Sequence, residues 1–384
     1  MLALVMVGGL AGLASGASAK PNVLVLLADD LGYGDLGCFG RANISTPHLD
    51  GMSARGVKFT QWISAAPICT PSRAALQTGR LPRRYGMTAN VLPWRVFDTP
   101  SQPGGLPPTE TTVATLLKTA GYRTAMSGKW HLGVSGPGHF GEYLPLAHGY
   151  DDWLGLPYTN MHACTPGHES WQFCMLMANH TVVQQPTRMQ NLTLELTDHA
   201  IRFINNAVTA GQPFFHLMAY VHVHTALFSS PMFTNVSKGG EFGDNLEELD
   251  WSVGQLLGTL KARGIEKNTL VFFTSDNGPF AEEGWAKCGR TGGLAGSKGQ
   301  TFEGGIRVPA LALWPGVTPS GVVTDTLVST MDIFPTVLAV AGVAVPSGLL
   351  LDGRDMSGIL RNPVAIPTQH EWLWHYCGKN VTAG

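Results

Sequence analysis

Two carboxylates, Asp29 and Asp30, leave the apolar run Val23–Leu27, and a second pair, Asp276 and Asn277, leaves the run Thr269–Thr274 through Ser275. Open α/β sheets gather their ligands at the carboxyl ends of strands. A single Asp in such a place usually caps a loop. Adjacent like charges repel, however, and the doubled arrangement is better explained by a bound cation. Three carboxylates and one amide oxygen, with neither imidazole nor thiolate, suit a hard ion such as Ca²⁺ or Mg²⁺ and not zinc.

The segment Cys69-Thr70-Pro71-Ser72-Arg73, continued by Ala74 to Arg80, is the second place where chemistry could occur. Taken bare, Cys69 reads as a structural cysteine at a helix start with Pro71 in the first turn. It reads equally as a thiolate of lowered pKa beside a helix N-terminus and Arg73. A third place is Val221-His222-Val223-His224, after another apolar run; both histidines share a face if the strand continues, and either could be a packed strand-end residue.

Strand-type runs at Val23–Leu27, Pro213–Ala219, Thr269–Thr274 and Pro309–Leu313 alternate with helical patterns at Thr111–Thr119, Asn245–Leu260 and Met331–Ala341. That alternation predicts an α/β sandwich with a mainly parallel sheet. Leu246, Leu249, Val253, Leu256, Leu257 and Leu260 share one face of the second helix, with Asp244 expected as its cap. The Gly- and Pro-rich stretches 101–108, 164–167 and 278–305 read as rim loops, where sites gather.

With 384 residues, 44% of them hydrophobic, the chain has enough apolar material for a large core. Its 25 Lys and Arg nearly balance 27 Asp and Glu, so no long-range field favours nucleic acid or an anionic membrane. Residues 1–19 are small and apolar and end in Ala17-Ser18-Ala19, which predicts a signal peptide cleaved before Lys20. No later run approaches the roughly 20 apolar residues of a transmembrane span. Sequons at Asn43, Asn179, Asn191, Asn235 and Asn380 agree with a secretory glycoprotein, lysosomal or extracellular or held in the endoplasmic reticulum lumen. Of six cysteines, Cys164 and Cys174 lie close together in a polar loop and are expected to pair.

Cys69-Thr70-Pro71-Ser72-Arg73 followed by Thr78-Gly79-Arg80 resembles the first signature of the sulfatase family, and Gly121–His131 resembles the second. The opening Pro21–Gly40 is also typical, and the resemblance extends to about Tyr376, most closely to the arylsulfatase and steroid sulfatase branches. Gln77 departs from the aliphatic residue usual there. The steroid branch's membrane hairpin has no counterpart between Tyr158 and Gln212, which is polar.

The resemblance implies an alkaline phosphatase-like sandwich, with a large mainly parallel central sheet flanked by helices and residues 20–384 forming the catalytic domain. The family's small antiparallel C-terminal domain would be largely missing, since the sequence stops soon after Cys377, and a lost partner for Cys377 would account for an odd cysteine. It also implies that a formylglycine-generating enzyme oxidises Cys69, whose aldehyde is hydrated to a gem-diol. One oxygen of that diol would join Asp29, Asp30, Asp276 and Asn277 around Ca²⁺, preferred over Mg²⁺. Arg73, Lys129 and Lys298 would neutralise the sulfuryl oxygens, and His224, titrating near pH ~6.5, would protonate the leaving oxygen. His131 would take the proton whose loss expels sulfate, and Thr159 falls where the arylsulfatase branch carries a sulfate-pocket serine. The substrate would be a sulfate-ester small molecule or a sulfated lipid or glycan. The rivals are a phosphatase or phosphodiesterase of the same fold and an inactive sulfated-ligand-binding relative.

Overall fold

Every residue of β1 (Asn22–Ala28) is buried, the pattern of a strand covered on both faces. Val23, Val25 and Leu27 enter one apolar layer, and Leu24, Leu26 and Ala28 the other. The computed structural model describes residues 20–88, 96, 104–136, 140–160, 164–165, 167–168, 171–281, 284, 287–377 and 380–383. The expected leader lies outside the described residues.

The strands that follow are β2 (Val57–Phe59), β3 (Trp62–Ile63), β4 (Arg123–Gly128), β5 (Asp152–Gly155), β6 (Leu176–Ala178), β7 (Thr181–Gln184), β8 (Phe214–Ala219), β9 (Thr269–Ser275), β10 (Ala310–Leu313), β11 (Val322–Thr324), β12 (Val328–Ser329), β13 (Trp374–Cys377) and β14 (Asn380–Ala383). Ten of them form one sheet in the order β11-β2-β10-β9-β1-β8-β4-β5-β6-β7. The central five, β9, β1, β8, β4 and β5, are parallel, and antiparallel pairs begin at β10 on one side and β6 on the other. Five parallel strands in sequence send their carboxyl ends to a single edge. With neighbours about 4.8 Å apart, side chains just beyond those ends come within reach of one another.

The helices are α1 (Pro47–Arg55), α2 (Cys69–Thr78), α3 (Val113–Thr119), α4 (Met189–Thr209), α5 (Gly240–Ala262), α6 (Glu303–Ile306), α7 (Ile333–Ala341) and α8 (Ser357–Arg361). Buried residues of α2, α3 and α7 pack on one face of the sheet, and those of α1, α4 and α5 on the other. The sandwich read from the sequence is thus present. The expected stripe on α5 is inward, but the helix begins earlier, after Gly239, so Asp244 is not its cap. Instead its carboxylate accepts from the backbone N of Asn235, Val236 and Ser237 at 2.7, 3.0 and 2.8 Å. The described part of the stretch 287–302 is without strand or helix, and α6 begins at Glu303. Cys164 and Cys174 are joined as expected. No helix among the described residues is long and apolar enough to cross a membrane.

His148 is 1% exposed, lies against Trp130 with ring centroids 5.5 Å apart, and leaves its Nε2 without a partner. Burial pushes it down to about 4. Its folded pKa is depressed below the ordinary value of about 6.5, so the neutral ring's contribution is complete above pH ~6.5 and is lost as pH falls toward 4. The stability of the native chain relative to His148→Gln should therefore fall by about 1.4 kcal/mol per pH unit across that window. Paired denaturant titrations at pH 7 and 5 check this, and a pH-independent difference would contradict it.

Candidate active site

Each expected site residue except Cys69, Arg73 and Lys298 follows one of the five parallel strands. Asp29 and Asp30 follow β1, Lys129 and His131 follow β4, Thr159 follows β5, His224 follows β8, and Asp276 and Asn277 follow β9. Gly128, at φ +113, makes the turn that delivers Lys129, and a Cβ there would lie 1.7 Å from the carbonyl oxygen of Ala219. Asp30 at φ +58 and His131 at φ +61 hold the left-handed conformation without being glycine, a cost of about 1–2 kcal/mol each that the surrounding contacts must offset.

Cys69 opens α2, whose ten residues are all buried although half are polar. The helix carries Arg73 one turn further, and its guanidinium meets Asp276 through Nε (2.9 Å) and Nη2 (2.8 Å). Nη1 donates to the Lys129 carbonyl at 3.0 Å, and Nη2 lies 3.3 Å from Asp29 Oδ2. Thr70 Oγ1 donates to the His131 carbonyl at 2.9 Å, tying the first turn of α2 to the segment after β4. Gln77, the departure from the family pattern, accepts from the Tyr150 hydroxyl at 3.0 Å inside the core.

Lys129, fully buried, donates to Asp29 Oδ2 at 2.5 Å and to Thr159 Oγ1 at 3.3 Å. Lys298 reaches Asp30 from the long loop at 2.7 and 2.8 Å. Asn277 Nδ2 donates to Asp30 Oδ1 at 2.8 Å, and the Asp30 backbone N donates to Asp276 Oδ1 at 3.2 Å. All the residues expected at a metal or sulfate site therefore form one buried cluster.

Three carboxylates face three cations, and the protonation of each group follows from its neighbours. Burial alone would raise Asp29, but Lys129 and Arg73 hold it well below the usual carboxylate range. Burial and the charge of Asp29 push Asp276 up. Burial also raises the Cys69 thiol, against the pull of Lys129 and Lys298. Arg73, committed to Asp276 and Asp29, is not free to stabilise a thiolate there. Burial followed by Lys129 and Arg73 takes His131 well below its ordinary value, and both its ring nitrogens are buried without partners. His224 is pushed down to about 4 by burial and Lys298, against the pull of Asp30.

The two histidines of the 221–224 segment do not share surroundings, because the strand ends at Ala219. His224 Nε2 lies 3.6 Å from Asp30 Oδ2. His222 turns into the helical layer, where its Nε2 meets Thr193 Oγ1 at 2.8 Å and its ring packs on Phe228.

Whether these residues fit a cation can be judged from their unpaired oxygens. Asp29 Oδ1 and Asn277 Oδ1 are buried without a partner, a costly arrangement unless something electropositive meets them. Asp29, Asp30 and His224 bring one ligand atom each within 4.8 Å of one another. The unpaired oxygens of Asp29 and Asn277 fit a cation.

The sulfatase family profile matches residues 21–343. The chain belongs to the sulfatase family. Steryl-sulfatase of Rattus norvegicus is 39% identical over 431 aligned residues, covering 94% of this chain and 74% of the relative. Arylsulfatase A of Homo sapiens is 42% identical over 373 residues, covering 94% and 71%. The crystal structure of PsFucS1 sulfatase from Pseudoalteromonas sp. superposes with a TM-score of 0.81 at 32% identity, covering 94% of this chain and 76% of that one. Family membership places the chain among the sulfuric ester hydrolases, so the phosphatase reading is set aside. The steryl-sulfatase alignment is longer than this chain, so that relative carries residues this one lacks.

Two residues of the sulfatase site escaped the sequence reading. Phe280 stacks on His224, with centroids 6.4 Å apart and planes 7° from parallel, and Lys298 Nζ sits 5.0 Å from the centre of the Phe280 ring. Asn160 Nδ2 donates to the carbonyls of His224 and Ala226 at 3.4 and 3.3 Å, joining the segments after β5 and β8. Phe280 has no periodic partner in the sequence, and Asn160 is marked only by its place beside Thr159.

Proposed function

We propose that the chain hydrolyses sulfate esters with a formylglycine made from Cys69, and that Asp29, Asp30, Asp276 and Asn277 hold Ca²⁺ beside it. The observation that carries this reading is the position of Cys69, buried at the head of α2 beside a cluster of three cations and three carboxylates, where burial pushes its thiol up. When present, the two groups supply a pair of geminal hydroxyls, one to attack sulfur and one to release sulfate, and a dication that polarises oxygen.

The chain's own residues do the rest. Lys129 and Lys298 neutralise sulfuryl oxygens in a site with almost no water to screen them, and Arg73 keeps Asp276 and Asp29 in place. Thr159 adds a hydroxyl beside Lys129. His224, held by Phe280, is placed to give a proton to the leaving oxygen, a role its low pKa confines to acidic pH, and neutral His131 accepts one when sulfate departs.

The Cys164–Cys174 bridge and the exposed sequons Asn43, Asn191 and Asn235 support passage through the secretory pathway, where a formylglycine-generating enzyme would act on Cys69. The half-buried Asn179 differs, since its amide is committed to Asp152 and to the Trp153 backbone. The Asn380 side chain lies outside what the structure describes.

Mass spectrometry of the tryptic peptide holding position 69, from protein secreted by a eukaryotic cell, tests the reading alongside turnover of 4-nitrophenyl sulfate. Formylglycine with turnover is the expected result. Unmodified Cys69 without turnover would return the chain to the class of sulfated-ligand-binding relatives.

A further inference from the structure

Beside the site, a cleft of about 460 Å³ opens between the loop after β1 and the loop that follows Cys288, lined by Phe39, Arg41, Arg290, Thr291 and the backbones of Gly34 and Gly292. A Cβ on Gly32, two residues beyond Asp30, would lie 2.3 Å from the Arg290 carbonyl oxygen, so the two loops touch directly there. Further along the second loop, Lys298 enters the site itself.

The cleft is electropositive, with two guanidinium groups in its lining. Asp35, the carboxylate beneath it, is used up by the backbone N of Gly32 (2.7 Å), the backbone N of Arg290 (2.8 Å) and Arg41 Nη1 (3.1 Å). Arg41 also donates from Nε to Asn43 Oδ1 at 2.9 Å, which makes it a wall of the cleft and a brace for Asp35. The Arg290 side chain is exposed, and no carboxylate among the described residues pairs with it. Lys58 lies behind the aromatic wall, its Nζ 5.3 Å from the centre of the Phe39 ring and donating to the Cys38 carbonyl at 2.9 Å.

Glycine backbone, one aromatic face and an exposed guanidinium are poor company for a hydrocarbon, which would strip water from the guanidinium without replacing it. They suit a flat polar group that is itself anionic, because a guanidinium grips sulfate or carboxylate through paired hydrogen bonds. We infer that this cleft binds a second anionic group, sulfate or carboxylate, carried by the substrate whose sulfate ester is cleaved, with Arg290 as its contact. The inference rests on the sulfatase reading for the first anion and adds the class of the aglycone.

Arg290→Ala and Arg290→Glu test it, with Arg41 left intact because it braces Asp35. For a monosaccharide disulfate, KM should rise about tenfold in Arg290→Ala and further in Arg290→Glu, the loss expected for one charge-assisted contact. KM for 4-nitrophenyl sulfate should stay within about twofold, since its single anion never reaches the cleft. Equal effects on both substrates, or none on either, would overturn the proposal. Calorimetric binding of the disulfate in a Cys69→Ala background separates the two readings. If binding depends on Arg290 while the unmutated chain turns over neither ester, hydrolysis fails and the anion cleft stands; if hydrolysis proceeds and binding ignores Arg290, the cleft fails alone.

Discussion

Cys69→Ser should lower turnover of an aryl sulfate by about 10⁴-fold or more, the scale on which enzymes lose activity when a covalent nucleophile is removed. The two side chains are nearly the same size, so thermal stability should change by no more than about 1 kcal/mol. Serine keeps one heteroatom on the carbon that attacks, and expulsion of sulfate requires a second. The buried thiol is no better, because its surroundings raise its pKa and keep it protonated. Chains carrying Cys69→Ser and chains that retain unmodified Cys69 should thus be equally inactive. A serine variant with more than about one hundredth of the native rate would show that the single oxygen suffices, and the formylglycine reading would fall.

Removing the cation should have the second largest effect. The charges of Arg73, Lys129 and Lys298 cancel those of Asp29, Asp30 and Asp276, so without a metal the cluster is neutral and has little reason to attract a sulfate ester. A bound dication gives the same cluster a net charge of about +2 in a setting of low dielectric. Dialysis against a calcium chelator should abolish turnover, and calcium should restore it more fully than magnesium, whose strict octahedral geometry suits this ligand set less well. Because the ion binds the folded state, saturating calcium at about 100 times Kd should also stabilise the chain by about 2.7 kcal/mol. Full activity after exhaustive chelation, with an unchanged melting curve, would remove the metal from the account.

The order of the strands could not be read along the chain. Nothing near Val23 says that β1 is flanked by β8 and β9, drawn from nearly two hundred or more residues away, because sheet order depends on how whole helical layers cover each face. The histidines show the same limit at the scale of two residues. Alternation along an assumed strand gave His222 and His224 one face, but the chain leaves the sheet at Ala219, and the turn sends one ring to Asp30 and the other to Thr193. Asp244 looked like a cap because a capping residue and a residue in the second turn of a longer helix differ only in where the helix begins.

The sequence by itself determined the apolar runs, the Asp-Asp and Asp-Asn pairs that end two of them, the Cys69–Arg80 signature and the family. These are local features, carried by residue type and spacing. Only the tertiary structure decided that Lys129, Lys298 and Arg73 each meet a particular carboxylate, that His224 and not His222 faces Asp30, and that Phe280 and Arg290 stand beside the reaction centre. The reason is physical. Five strands remote in sequence must lie parallel before their ends share one edge, and burial at that edge, which no single segment possesses, is what shifts the protonation of the groups gathered there.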